Sequence, residues 1–227
     1  MNRTLAVAIV SGVFSFSSLA QDVLFDIDFS EPHRLGDLPV VNDAISTPSG
    51  IVSGRPEIVT DYGGFDRALL LNTQDAVNGY EQIRLDVNQI ADVYYFSADI
   101  YTEKLVGSDN KLSIFFDAPQ TRSVSFHGMG FINASIPEKG SRTISSLKNG
   151  IKQHIDIEID TRKNLWTVYL DGKKVYENDY FASELSAVRI NLLPWGINPE
   201  ETERSEVAID NIRLFTHQRD VDIVQSN

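Results

Sequence analysis

The chain has 227 residues, 32 acidic against 20 basic side chains for a formal net charge of −12, and no cysteine. So acidic a surface repels phosphate backbones and anionic headgroups, which argues against nucleic acid and charged membrane as partners. Without cysteine there is no disulfide scaffold and no thiol chemistry, so stability has to come from the core.

Asn2 and Arg3 precede an apolar run from Leu5 to Phe16, and Ser17-Ser18-Leu19-Ala20 follows. A basic start, about a dozen apolar residues and small side chains at Ser18 and Ala20 describe a secretory leader cleaved after Ala20. The run is shorter than the ~20 residues that span a bilayer, and no later segment is apolar enough to cross one. Removing residues 1–20 takes one basic residue, Arg3, and leaves 19 basic against 32 acidic side chains. The expected product is a periplasmic or secreted bacterial protein. It is one domain over residues 21–215, large enough to bury about 70% of its unfolded surface, with a flexible tail over 216–227.

Apolar and polar residues alternate with period two in segment after segment, the signature of half-buried strands. Val23, Phe25, Ile27 and Phe29 face one way, with Leu24, Asp26 and Asp28 opposite. The Pro- and Gly-rich stretch from Ser30 to Gly54 predicts a long loop with one short strand near Leu38 to Val41. Glu57 to Thr60 and Ala68 to Asn72 flank an Asp61-Tyr62-Gly63-Gly64 turn. Tyr80 to Val87 sets Ile83, Leu85 and Val87 against Gln82, Arg84 and Asp86. Val93 to Tyr101 sets Phe96, Ala98 and Ile100 against Tyr95, Ser97, Asp99 and Tyr101. Lys111 to Asp117, Arg122 to Phe126 and Gly130 to Ala134 continue the pattern, and Pro137 to Gly150 reads as polar, turn-rich sequence. Beyond a hairpin over Lys152 to Tyr176, Phe181 to Leu185 predicts a brief helical turn. Ala187 to Leu193 then points Arg189 and Asn191 away from the core. In Glu206 to Phe215 the parity slips between Val207/Ile209 and Ile212/Leu214, which a β-bulge at Asp210-Asn211 reconciles. About a dozen short strands and no amphipathic helix predict an all-β protein, a two-sheet antiparallel jelly-roll sandwich.

The hairpin carries the most specific pattern. His154, Ile155, Ile157, Ile159 and Asp160 fill its first half; Trp166, Val168, Tyr169, Leu170, Asp171, Gly172, Lys173 and Val175 fill the second. This resembles the laminin G-like and concanavalin A-like lectin/glucanase sandwiches. The closing Ile209-Asp210-Asn211-Ile212-Arg213-Leu214 is similar to the last strand of such domains, where it pairs with the first. The resemblance implies the fold; lectins, hydrolases, lyases and scaffolds all use it.

Asp156-Ile157-Glu158-Ile159-Asp160 resembles the carboxylate strand of laminarinase- and agarase-type glucanases, but in the order D-x-E-x-D, with the shorter aspartate at both outer positions. Retention needs two carboxyl groups about 5–5.5 Å apart, and these side chains read as the wet side of a strand. Gln82-Ile83-Arg84 and Tyr95 to Tyr101 resemble the catalytic strands of alginate-lyase-type sandwiches. Arg84 stands where that family has its histidine, and Ser97 and Asp99 where it has lysine and glycine, so only Tyr101 matches a catalytic residue.

A third reading is non-catalytic binding of a polysaccharide or cell-surface glycan. Sugars stack on aromatic rings while Arg, Asp and Asn groups read their hydroxyls. The outward residues Gln82, Arg84, Tyr95, Asp99, Tyr101, Asp117, Arg189 and Asn191, with Trp195 in a loop, are the candidates. Asp28, or Asp26, with Asp210 at the bulge offers hard oxygens for a structural calcium, which takes six to eight such ligands. His33, His127, His154 and His217 have no zinc-binding spacing. The reading is an exported glycan-binding sandwich; the alternatives are a polysaccharide-degrading enzyme of the same fold and a structural domain without a small ligand.

Overall fold

The computed structural model describes residues 21–29, 45–46, 57–72, 81–105, 111–136, 139–178, 184–193 and 205–217. These form fifteen strands and no helix: β1 (Gln21–Ile27), β2 (Ile45–Ser46), β3 (Glu57–Tyr62), β4 (Phe65–Asn72), β5 (Glu81–Asp86), β6 (Val93–Lys104), β7 (Lys111–Asp117), β8 (Arg122–His127), β9 (Phe131–Ile136), β10 (Gly140–Ser146), β11 (Lys152–Asp160), β12 (Leu165–Leu170), β13 (Lys173–Asn178), β14 (Ala187–Leu193) and β15 (Glu206–His217). They build two antiparallel sheets. The first runs β13-β12-β11-β6-β15-β4-β3, with β1 also on β15; the second runs β10-β9-β8-β7-β14-β5-β2.

The sheets pack face to face through the side chains that alternate inward. Phe96 of β6 meets Phe116 of β7 edge-on, with ring centroids 5.5 Å apart. Around them Ile83, Leu85, Ile114, Val124, Ile132, Ile155, Ile157, Val168, Ile190 and Leu214 are buried in one cluster. Burying a large aliphatic or aromatic side chain is worth about 1.5–3 kcal/mol, and this continuous layer takes the place of disulfides. Trp166 is fully buried and packs edge-on against Tyr176. Tyr94 is buried with its hydroxyl satisfied, accepting from Ala91 N–H at 2.9 Å and donating to the Gln89 carbonyl at 2.8 Å. Arg122 also faces inward and is fully buried. Its guanidinium donates to the carbonyl and side-chain oxygens of Gln120 at 2.6 and 2.9 Å.

The tight turns obey their sequence. Asp171-Gly172, with φ of 50° and 73°, and Gly63-Gly64, with φ of 63° and 80°, have both central residues in the left-handed region that matches strand twist in a two-residue hairpin. The bulge in β15 lies where the parity slip puts it. The register against β6 shifts between Asp210 and Arg213, Asn211 takes φ of 51°, and Val207, Ile209, Ile212 and Leu214 all reach the same core.

Four expectations are corrected. Val23 is 63% exposed, because a register shift between Val23 and Phe25 turns it away from Phe25, Ile27 and Phe29. Gly140–Ser146 is a strand, β10, within the stretch read as turns. It is an edge strand whose polar residues carry no alternation, and backbone pairing with β9 alone defines it. Glu184 and Leu185, the described end of the expected helical turn, are not helical. β15 continues through Thr216 and His217, paired with β6 and β1, where a tail was expected. The strand expected at Leu38 to Val41 lies outside the described residues.

Candidate functional site

The outward residues singled out in the sequence divide between two faces on opposite sides of the sandwich. Gln82 and Arg84 on β5, Arg189 and Asn191 on β14 and Asp117 on β7 belong to the second sheet; Tyr95, Asp99 and Tyr101 on β6 belong to the first. Trp195 lies outside the described residues.

On the second sheet the guanidinium groups are held by carboxylates. Arg189 donates through Nε and Nη2 to the two Asp117 oxygens at 2.6 and 2.7 Å and lies over the Phe115 ring at 4.8 Å. Arg84 donates to Asp86 at 2.6 Å. Gln82 is paired through its backbone with Asn191, and Asn191 is buried with its Oδ1 unbonded. A bidentate Arg–carboxylate fork is among the strongest side-chain pairs. The arginines expected to read sugar hydroxyls are therefore already engaged.

The first sheet presents an open pocket of about 520 Å³ lined by Tyr95, Ser97, Asp156, Glu158, Tyr169, Gly172 and Phe215. The register explains it. Tyr169, Asp156, Ser97 and Arg213 form one row across β12, β11, β6 and β15; Thr167, Glu158, Tyr95 and Phe215 form the next. Ser97 is the small residue between large ones, so it forms the floor. Tyr95 and Phe215 stack nearly parallel at one side, centroids 5.2 Å apart and 21° between planes. Asp156, Glu158 and Tyr169 form the other side. Burial, then the Glu158 charge, raises the Tyr169 phenol above its ordinary range.

A polar network adjoins the pocket. His154 makes contacts from Nδ1 to Asp99 at 2.6 Å and from Nε2 to Asp156 at 2.9 Å, so with both nitrogens protonated it donates to two carboxylates. Partial burial works against the charged ring, but the Asp99 bond and the Asp156 charge prevail and its pKa is raised. The bulge aims Asn211 Nδ2 at the other Asp99 oxygen, 2.8 Å away. Asp210 beside it is pushed up to about 6, by burial first and then by Asp99 and Asp28.

Tyr101 stands apart from the pocket. It packs edge-on against Tyr62 at 5.8 Å over a small outer cluster of Phe65, Ala68 and Ala208. Asp28 and Asp210 are close enough to interact. Among the described residues, however, no group of three or more His, Cys, Asp or Glu side chains is positioned to hold a metal. Asp26 is paired with Arg213 at 2.8 Å.

Sequence reasoning named Tyr95 and Asp99 but missed Phe215, Tyr169 and the floor at Ser97, and it read Asp156 and Glu158 as merely wet. The outward alternation of all five is visible in the sequence; their adjacency is not.

No protein-family model matches the chain, and no curated protein matches it. Solved structures do. One, described as "Prominent members of the human gut microbiota express endo-acting O-glycanases to initiate mucin breakdown", superposes with a TM-score of 0.64 at 13% identity, covering 87% of this chain and 100% of that one. A structure described as "Cell entry of botulinum neurotoxin type C is dependent upon interaction with two ganglioside molecules" gives 0.57 at 9% identity, over 88% of this chain and 49% of that one. A sialidase gives 0.55 at 14% identity, over 78% of this chain and 17% of that one. The chain thus spans about half of the toxin structure and a sixth of the sialidase. At these identities the likeness establishes the fold: an all-β, two-sheet antiparallel sandwich of the kind found among carbohydrate-related proteins.

Proposed function

We propose that this protein is an exported, non-catalytic glycan-binding sandwich whose ligand lies on the outer face of the first sheet, across Ser97. The pocket carries the reading. The stacked pair of Tyr95 and Phe215 offers the outer face of a ring for the C–H side of a sugar, and Asp156, Glu158 and Tyr169 of the same lining supply acceptors and a hydroxyl for its hydroxyls. Few convergent polar groups beside aromatic walls is the usual make-up of a small-ligand site. The neighbours named for a glycanase, a ganglioside interaction and a sialidase support it as analogy of fold. The basic-apolar-small pattern of residues 1–20 supports export to a periplasm or exterior. Among the described residues no helix is long and apolar enough to cross a membrane.

Binding is favoured over hydrolysis because Asp156 is engaged by His154, leaving Glu158 as the pocket carboxylate without a hydrogen-bond or ion-pair partner among the described residues, whereas glycoside cleavage takes two carboxyl groups in separate roles. The test is isothermal titration against a panel of neutral, amino and acidic oligosaccharides, with Tyr95→Ala alongside and reducing ends assayed after incubation. Binding that Tyr95→Ala weakens about tenfold, without new reducing ends, fits the reading. Release of reducing ends would establish the enzyme instead, and no binding to any oligosaccharide would leave a structural domain.

A further inference from the structure

We propose that the Ser97 pocket selects a cationic sugar, a hexosamine with a free protonated amine, over its N-acetylated and neutral counterparts; this rests on the glycan-binding reading of the same pocket. The lining includes two carboxylates, Asp156 and Glu158, three aromatic rings, Tyr95, Tyr169 and Phe215, and no cationic side chain. Glu158 has no hydrogen-bond or ion-pair partner among the described residues. An unpaired carboxylate beside ring faces is a setting for an ammonium group, because both the charge and the negative faces of the rings attract it.

The nearby cations do not cancel this. Arg213 lies across from Ser97 in register, but its guanidinium donates to Asp26 at 2.8 Å. Lys174 is paired with Glu177 at 3.0 Å. Lys152 lies over the Phe65 ring at 4.9 Å, on the far side of Asp99. His154 is shared between Asp99 and Asp156. Each of these four cations has its own carboxylate or ring among the described residues, so the excess negative charge at the pocket mouth is carried by Glu158, with Asp156 sharing one oxygen with His154. A sugar ring stacked on the outer face of this ring pair beside Tyr95 would lie next to Glu158, the cross-strand partner of Tyr95. An amine there gains an ion pair, an N-acetyl group gains none, and a uronic carboxylate meets like charge.

The experiment is isothermal titration of the purified protein with hexamers of β-1,4-linked glucosamine, N-acetylglucosamine and glucose. It is run at about pH 6, below the ordinary range of an amine, and about 0.15 M salt, where exposed charges beyond roughly 8 Å are screened. The glucosamine hexamer is expected to bind about tenfold tighter than the N-acetylated one. Glu158→Gln, checked for an unchanged melting temperature, is expected to bring that ratio close to one. Equal binding of all three hexamers overturns the amine selectivity and leaves glycan binding standing. A glucosamine preference that survives Glu158→Gln assigns it to the acidic surface at large and overturns the site. No binding of any hexamer overturns the amine selectivity, and the wider panel of neutral, amino and acidic oligosaccharides then decides the glycan-binding reading separately.

Discussion

Replacing Gly63 by alanine tests how firmly the β3–β4 turn is built against the sheet. A Cβ at Gly63 would run into Cδ1 of Tyr101 and stand 2.5 Å from its Cγ and 3.0 Å from its Cβ, at φ of +63°. The atoms met are the root of the ring, fixed to β6, so no rotation of a side-chain tip relieves them. At Gly64, the other central residue of the same turn, φ is +80° and nothing lies within 4 Å of an added Cβ. Both alanines carry the left-handed strain of about 1–2 kcal/mol, offset in part by ~0.4–1 kcal/mol from a stiffer unfolded chain. Only Gly63→Ala adds overpacking, about 1–3 kcal/mol. With roughly 2–4 °C of melting temperature per kcal/mol in a chain of this size, Gly64→Ala should melt within a few degrees of wild type. Gly63→Ala should lie a further ~2–12 °C lower. Differential scanning calorimetry of the three proteins decides it. Equal melting temperatures for the two variants would show that Tyr101 is not held against the turn, and the packing argument for that patch would fail.

Ser97→Leu should fill the pocket floor and weaken oligosaccharide binding at least about tenfold, while its outward position keeps stability within about 0.5 kcal/mol; titration and a melting curve check the two halves, and retained affinity would remove the site from Ser97. The raised pKa of His154 stabilises the fold fully at pH values below its ordinary 6.5, where folded and unfolded chains are both protonated, and the contribution is lost as pH rises through the higher folded value. The gap in urea midpoint between wild type and His154→Gln should therefore narrow from pH 5 to pH 9, and a constant gap would count against the His154–carboxylate network. Asp210 moves stability with pH in the same direction: pushed from 3.8 to about 6, it holds its proton more tightly when folded, so stability falls as pH rises across that window. Asp210→Asn should raise stability at neutral pH by about 1–2 kcal/mol after allowance for solvent screening and change little near pH 4. A melting temperature that calcium raises in wild type but not in Asp210→Asn would instead assign Asp210 to a metal.

Much of the fold was legible because it rests on local rules. The alternation in Val93 to Tyr101 and in Lys152 to Leu170 separates inside from outside wherever one face of a strand is buried. Asp171-Gly172 marks a tight hairpin through φ alone. The parity slip between Ile209 and Ile212 requires a bulge, because the side-chain period of a strand is two and both residues must reach one core. Where a strand buries little the signal fades, which is why β10, with only Ile144 packed against the core, escaped. Val23 misled because a register shift reverses parity without any residue announcing it.

The site was legible only in part, for a different reason. Alternation says that Tyr95, Ser97, Asp156, Glu158, Tyr169 and Phe215 point away from the core; it says nothing about which strands lie side by side. That Phe215 stacks on Tyr95, or that Asp156 and Ser97 share a row, depends on β15 and β11 flanking β6, through pairings that span tens of residues of chain. Other non-local pairings, of β14 with β5 and β7, put Arg84 and Arg189 on the opposite side of the sandwich and lock Arg189 onto Asp117. The amino-acid sequence by itself determined the fold class, the inward face of most strands and the set of side chains facing out. Only the tertiary structure decided which of those side chains meet, because adjacency in a sheet is fixed by non-local backbone pairing, and chemistry at a surface depends on adjacency.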